Sequence, residues 1–135
     1  MTIEQQLQQA MERSQKIRPA IGGFPYLADC LRQAGFLKNT WYLPSGDSFY
    51  FTSNDALVIP GTSLIEAPSP CPAFNEPALI KALKLDQAGQ TTFPAFLKNI
   101  WSAGVVMYTV DFTHRSVTYY GADNTHYQEG YLPIT

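Results

Sequence analysis

Five side chains offer the mix of apolar area and oriented polar groups that recognition needs: Tyr42, Tyr50 and Tyr119, with Asp86 and Gln87. Binding sites combine a large apolar surface with a few fixed donors and acceptors. The three tyrosines fall in segments that read as strands. Asp86 and Gln87 begin Asp86-Gln87-Ala88-Gly89-Gln90-Thr91-Thr92, a stretch more polar than a turn between two helices demands. The expectation is a ligand-binding surface where sheet-face aromatics and this interhelical stretch converge. Helix capping is the competing job, with Gly89 closing one helix and Thr91 or Thr92 opening the next.

Other reactive residues point to less. His126 has Asp123, Tyr127 and Glu129 near it in sequence, and His114 sits beside Arg115 in a tight turn. A general base needs an orienting partner and a substrate within hydrogen-bond reach, and sequence shows neither. Ser45-Gly46-Asp47-Ser48 lacks the nucleophile elbow of a hydrolase and reads as a hairpin turn. Two separated histidines without clustered cysteines or carboxylates give no zinc spacing. The glycines of Arg18-Pro19-Ala20-Ile21-Gly22-Gly23 read first as a flexible turn, and only secondarily as an anion cradle at a helix start. No catalytic residue, metal or cofactor is therefore assigned.

The elements that must carry these residues follow from patterning. With 135 residues, 45% of them hydrophobic, the chain has the content of one domain spanning 1–135. Nine Lys and Arg against eleven Asp and Glu leave no positive excess to neutralise phosphates, so nucleic acid is an unpromising partner. The segment 1–16 is polar and Gln-rich, which reads as neither a secretory signal nor a membrane span, and the expected location is cytoplasmic. Cys30 and Cys71 do not form a disulfide framework in such a chain.

The chain repeats itself once. Phe24-Pro25-Tyr26-Leu27 through Ala34-Gly35 returns 69 positions later as Phe93-Pro94-Ala95-Phe96 through Ala103-Gly104, and Thr40 and Tyr50 recur as Thr109 and Tyr119. Leu27 and Leu31 fall on Phe96 and Ile100, an i,i+4 pair marking the buried side of a helix in both copies. Each proline suits a first helical turn and each terminal glycine a left-handed cap. After Gly104, Val106, Tyr108, Val110 and Phe112 alternate with Met107, Thr109 and Asp111 as a strand that returns over 116–120. The offset places Leu37, Asn39, Trp41 and Leu43 on the matching face of the first copy. This phase puts Thr40, Tyr42, Met107 and Thr109 on the opposite face, with Tyr50 and Tyr119 beside them, and buries Trp41 and Trp101. Short third strands are expected at 56–59 and 127–131.

Thr2-Ile3-Glu4-Gln5 has capping-box spacing ahead of an N-terminal helix. Prolines 68, 70 and 72 make 60–74 an extended crossover, and Asn75 with Pro77 opens another helix that ends by Gly89. The predicted fold is α+β: two helix-plus-antiparallel-hairpin repeats, about 24–59 and 93–131, related by a pseudo-twofold. One extra helix precedes the first repeat and another lies between the two.

Gly23-Phe24-Pro25-Tyr26-Leu27, Arg32-Gln33-Ala34-Gly35, Asn39-Thr40-Trp41-Tyr42-Leu43-Pro44-Ser45, residues 86–94 and Thr118-Tyr119-Tyr120-Gly121 resemble an uncharacterised family of small bacterial and prophage-borne proteins. It includes the YdfO-like proteins, some labelled phage envelope protein. The resemblance spans about residues 18–131 and implies an α+β fold without bringing an activity, cofactor or catalytic residue.

The leading functional expectation is a non-enzymatic cytoplasmic binding or interaction module for a small molecule or a protein, using the open sheet face or the cleft between repeats, with no membrane role. The alternatives are a homodimeric structural protein, or a small enzyme using Asp47, Asp111, His126 or a tyrosine hydroxyl in that cleft.

Overall fold

The computed structural model describes residues 1–66 and 68–134. Helix α1 (Ile3–Ile17) starts at Thr2, whose hydroxyl accepts from the Gln5 amide while the Gln5 side chain accepts from the Thr2 amide. This reciprocal box satisfies two amides that a helix start leaves without partners. Helix α2 (Phe24–Gln33) has Pro25 in its first turn and leads into strands β1 (Lys38–Tyr42), β2 (Ser48–Phe51) and β3 (Ala56–Ile59). Helix α3 (Glu76–Gln87) is capped by Asn75 and α4 (Phe93–Ser102) by Thr92. Strands β4 (Val105–Asp111), β5 (Ser116–Gly121) and β6 (His126–Gly130) complete the chain.

All six strands form one antiparallel sheet in the order β3-β2-β1-β4-β5-β6. The fold is α+β. The first strand of each three-strand run sits at the centre, β1 beside β4, with Thr40 opposite Thr109 and their hydroxyls 3.1 Å apart. Gly35 and Gly104 follow α2 and α4 with φ of 97° and 91°, values only glycine adopts without strain.

One sheet face packs on the helices. Its buried members include Tyr50, Tyr108, Val110, Val117 and Tyr119, which join Leu31, Leu79, Leu83, Phe96 and Ile100 of the helices in a single core. The alternation of β4 is interrupted: pairing with β5 shifts between Val105 and Met107, so Val105 is sealed in the core while Val106 is only half-buried. A bulge of this kind inserts one residue and resets which side each neighbour faces. The expected Val106–Tyr108 phase is corrected accordingly. Leu37, expected on the buried face, is 41% exposed, because Phe36 fills the core at that end of the sheet. Trp41 and Trp101 are likewise half-buried at the core's margin, not enclosed.

Candidate functional site on the two sheet faces

The registers divide the five candidate residues between two surfaces. Tyr42 lies on the open face, in line with Thr40, whereas Tyr50 pairs with Asn39 and Tyr119 with Tyr108, which places both on the helix side. The expectation that Tyr50 and Tyr119 share Tyr42's face is corrected. Because side chains alternate with period two, a one-residue difference in a hairpin's register moves a whole returning strand to the other face.

The open face is ordered in cross-strand rows. One runs Val58, Phe49, Thr40, Thr109, Thr118, Gln128 from edge to edge, and a second runs Tyr42, Met107, Tyr120, His126. The aromatics touch one another: Tyr42 meets Phe49 edge-on at 5.9 Å between ring centres, and Phe49 stacks on Phe51 at 6.1 Å. Val58 is 47% and Tyr42 41% exposed, and Phe49, Phe51, Met107 and Tyr120 are half-buried. The result is an apolar stripe concentrated on β1 to β3 and continued by Met107 onto β4.

Four of the candidates gather on the helix side. Tyr108 and Tyr119 lie with ring centres 5.5 Å apart, and Trp41 stacks on Tyr108 at 6.4 Å. Above them the end of α3 brings Asp86, whose carboxylate accepts from the Thr91 hydroxyl at 3.2 Å, and Gln87, which donates to Glu129 at 3.2 Å. Thr91 thus serves this polar stretch while Thr92 caps the next helix. The Tyr119 hydroxyl lies near Glu129 and acts to lower its carboxyl.

Burial raises the pKa of Tyr50, and raises those of Tyr108 and Tyr119 well above the ordinary tyrosine value. For Tyr108 the nearby Tyr50 and Asp86 add to the effect; for Tyr119, Glu129, Tyr108 and Asp86 do. Both carboxyls are pushed up as well, mainly by burial, against the opposing hydrogen bonds from Thr91 to Asp86 and from Gln87 to Glu129 and the opposing influence of the nearby Tyr119. Burial disfavours the charged form of an acid, which is the direction seen in all five.

Tyr108 and Glu129 belong to this cluster, yet neither stands among the sequence-derived candidates. A symmetric turn around Thr113-His114 sets Tyr108 opposite Tyr119, and that arithmetic was available from the hairpin alone. Glu129 required the register of β6, where it pairs with Val117.

The residues of the enzymatic alternative stand apart. Asp47 accepts from the Gly61 amide beside the β1–β2 turn, Asp111 holds the turn at the far end of β4, and His126 lies exposed on the edge strand beside Tyr120. Asp111 is held below the usual carboxylate range: burial acts to raise it, but hydrogen bonds from the His114 amide and ring and from the Thr113 amide outweigh that. Among the described residues no three His, Cys, Asp or Glu side chains come together as metal ligands. No helix there is long and apolar enough to cross a membrane. A shallow groove along α3, lined by Pro77, Ile80, Lys81, Lys84 and Leu85, touches none of the five candidates.

With this geometry in place, comparison with known proteins defines the class. Residues 8–129 match the family described as "Protein of unknown function (DUF1398)", and the chain belongs to that family. It is similar to uncharacterised proteins of Mycobacterium bovis and Mycobacterium tuberculosis, at 43% identity over 128 residues, covering 95% of this chain and 78% of each relative. The family thus has bacterial members, and these matches assign no specific function to it.

Proposed function

We propose that the chain is a non-enzymatic interaction module that associates reversibly through its open sheet face, with a second copy of itself as the occupant. The observation that carries the reading is the contiguous stripe of Val58, Phe49, Phe51, Tyr42 and Met107, over which no helix or strand of the described residues packs. Apolar patches of this kind on a monomer's surface mark interaction sites. The positions of that face carry one lysine, Lys38, and one aspartate, Asp111, so a second copy meets no net repulsion.

The face's size sets the strength. Six strands at ~4.8 Å spacing and about five residues at ~3.3 Å each give roughly 450–500 Å² per partner. A standard stable interface needs about 800 Å² per partner, so this one falls in the weak, transient class. That argues against an obligate structural homodimer and for a module that docks and releases.

The proposal includes a pseudo-twofold relating the halves and passing between Thr40 and Thr109, supported by their direct pairing at the repeat offset. It includes a cytoplasmic setting, supported by the unpaired Cys30 and exposed Cys71, a thiol suited to a reducing compartment. It also includes the relation to YdfO-like, prophage-borne proteins, supported by the motifs that carry that resemblance.

Sedimentation equilibrium between about 10 μM and 1 mM tests the reading, a range chosen for a transient interface. The weight-average mass should rise with concentration in the parent and stay monomeric in Val58→Lys, which places like charges against each other on the face. A parent that remains monomeric throughout, or a variant that associates equally, removes the proposal.

A further inference from the structure

The two edges of the sheet are finished differently. At the β3 edge the Thr52 amide donates to the Asp55 carbonyl at 2.9 Å. In the alternating ladder of an antiparallel pair, that bond fixes Leu57 and Ile59 as the residues bonded to β2 and turns the backbone of Ala56 and Val58 outward. This edge is guarded: the Asp55 carboxylate accepts from the outward Ala56 amide at 2.8 Å, and Pro60, next in the same phase, has no N–H to offer.

The β6 edge has no such guard. There the Gly121 amide donates to the Thr125 carbonyl at 2.7 Å and the Tyr131 amide to the Arg115 carbonyl at 3.1 Å. With the register of β5 and β6, these bonds turn the backbone groups of Tyr127 and Glu129 toward β5 and those of His126, Gln128 and Gly130 away from the sheet. All three outward residues are exposed, and their N–H and C=O groups have no hydrogen-bond partner among the described residues. Residues 126–132 contain no proline, lysine or arginine, and β6 pairs with β5 without a bulge. Those are the devices that keep a free edge from pairing with another chain.

We propose that this edge pairs with the same edge of a second copy, antiparallel about a twofold axis at Gln128, so that two sheets join into one. An isologous contact requires a patch that complements itself, and β6 does so in one register. With the two Gln128 residues facing each other, His126 lies opposite the partner's Gly130 and Tyr127 opposite the partner's Glu129. All three outward residues are then used, and with one N–H and one C=O each they give about six backbone hydrogen bonds. On the open face the partner's Gly130, lacking a side chain, leaves room for the His126 ring, which already lies 6.0 Å from that of Tyr120. On the helix side a phenol ring meets a carboxylate, and no like charges are opposed. An axis at Tyr127 would leave Gly130 unpaired, and an axis at Glu129 would set two carboxylates against each other. The new bonds replace bonds to water, so the pairing is weak and depends on concentration. The edge lies across the sheet from Val58, shares no residue with the apolar stripe and does not rest on the open-face reading.

The test is NMR of the full chain at about 20 μM and about 1 mM, which bracket a Kd of about 0.1 mM. At the higher concentration the amides of His126, Gln128 and Gly130 should exchange with water about fourfold more slowly, the change such a Kd implies. An equal mixture of isotope-labelled and unlabelled chains should show a contact between the Tyr127 Hα of one copy and the Glu129 Hα of the other, a pair too far apart within one chain to give it. Gln128→Pro removes an amide that has no partner in the chain, at an edge position that accepts proline, so it should melt near the parent yet lose both signals. Gln128→Glu leaves the backbone intact, sets like charges across the axis and should weaken pairing about twofold to fivefold. Val58→Lys, which disrupts the open-face contact, should leave both signals in place. Exchange independent of concentration, absence of the Tyr127–Glu129 contact, pairing in either Gln128 variant equal to the parent's, or loss of both signals in Val58→Lys would each overturn the proposal.

Discussion

Gly35 and Gly104 occupy corresponding places in the two halves, and replacing each by alanine separates backbone strain from packing. Both have left-handed φ, 97° and 91°. A Cβ added at Gly35 meets nothing within 4 Å, whereas at Gly104 it lands 2.5 Å from the Ala73 carbonyl oxygen and 2.5 Å from the Phe74 Cα. The difference arises because the crossover returns beside Gly104, tied by the Asn75 amide to the Ala103 carbonyl at 2.8 Å, and has no counterpart at Gly35. Gly35→Ala should therefore cost only the left-handed conformation, about 1–2 kcal/mol. Gly104→Ala adds a clash with main chain that cannot swing aside, about 1–3 kcal/mol more by the range for overpacked interiors.

For 135 residues, unfolding entropy of about 2.1 cal/mol/K per residue makes 1 kcal/mol worth roughly 3.5 °C in Tm. Gly35→Ala should then melt about 4–7 °C below the parent and Gly104→Ala about 7–17 °C below it, on the same conversion. Urea unfolding followed by circular dichroism checks the free energies, and an unchanged slope against denaturant would show that the folded state remains compact. Equal losses for the two variants, or a larger loss at Gly35, would refute the assignment of residues 73–74 as the obstacle and the packing of the crossover with it.

The carboxylates predict opposite responses to pH. Asp86 and Glu129 have folded pKa values raised above their usual ones, so their contribution is most favourable below the unfolded pKa and is lost as pH rises through the folded value. Asp86→Asn with Glu129→Gln should stabilise the chain at neutral pH, and the gain should vanish in acid, as read by Tm against pH. Asp111 is depressed, so its stabilisation is present above the unfolded pKa and lost as pH falls through the folded one; Asp111→Asn should flatten the acid limb of the same curve. The Thr40–Thr109 hydroxyl pair should show a coupling of about 0.2–1 kcal/mol in a double-mutant cycle to valine, the range for cross-strand pairs; no measurable coupling would show that the pair is incidental.

The capping box at Thr2, the caps at Asn75 and Thr92 and the positions of both Ala-Gly helix ends were legible because each is a local signal with a local cause. The central pairing of β1 with β4 was not, since nothing in a strand's composition names its partner across 69 residues; only the recurrence of Thr40 as Thr109 hinted at it. Tyr50 and Tyr119 were assigned to the wrong face because hairpin register, not the alternation within a strand, decides which side a returning strand presents. The bulge at Val105–Met107 has no residue signature at all, and it alone moves Val105 into the core. Asp86 and Gln87 stood out because the interhelical stretch is too polar for its length, and in the structure they hydrogen-bond Thr91 and Glu129. Glu129, which accepts from Gln87, depended on the register of β6, which the same reasoning did not phase, whereas Tyr108 opposite Tyr119 could have been read from the β4–β5 turn.

The separation of Tyr42 from the other four candidates changes what the sheet does. Adjacent residues of one strand face opposite ways, so Tyr42 belongs to the open stripe while Trp41 roofs the tyrosine cluster. A six-stranded antiparallel sheet with helices packed on one face has only its other face free for a large partner, and that face is the apolar one. The helix side holds Asp86, Glu129 and the three tyrosines at and beneath the margin where Gln87 and Phe93 are exposed. The two surfaces therefore differ in chemistry for the same reason they differ in accessibility: burial on one side makes charge costly and raises the carboxyl and phenol pKa values, and exposure on the other leaves apolar area as the principal source of attraction.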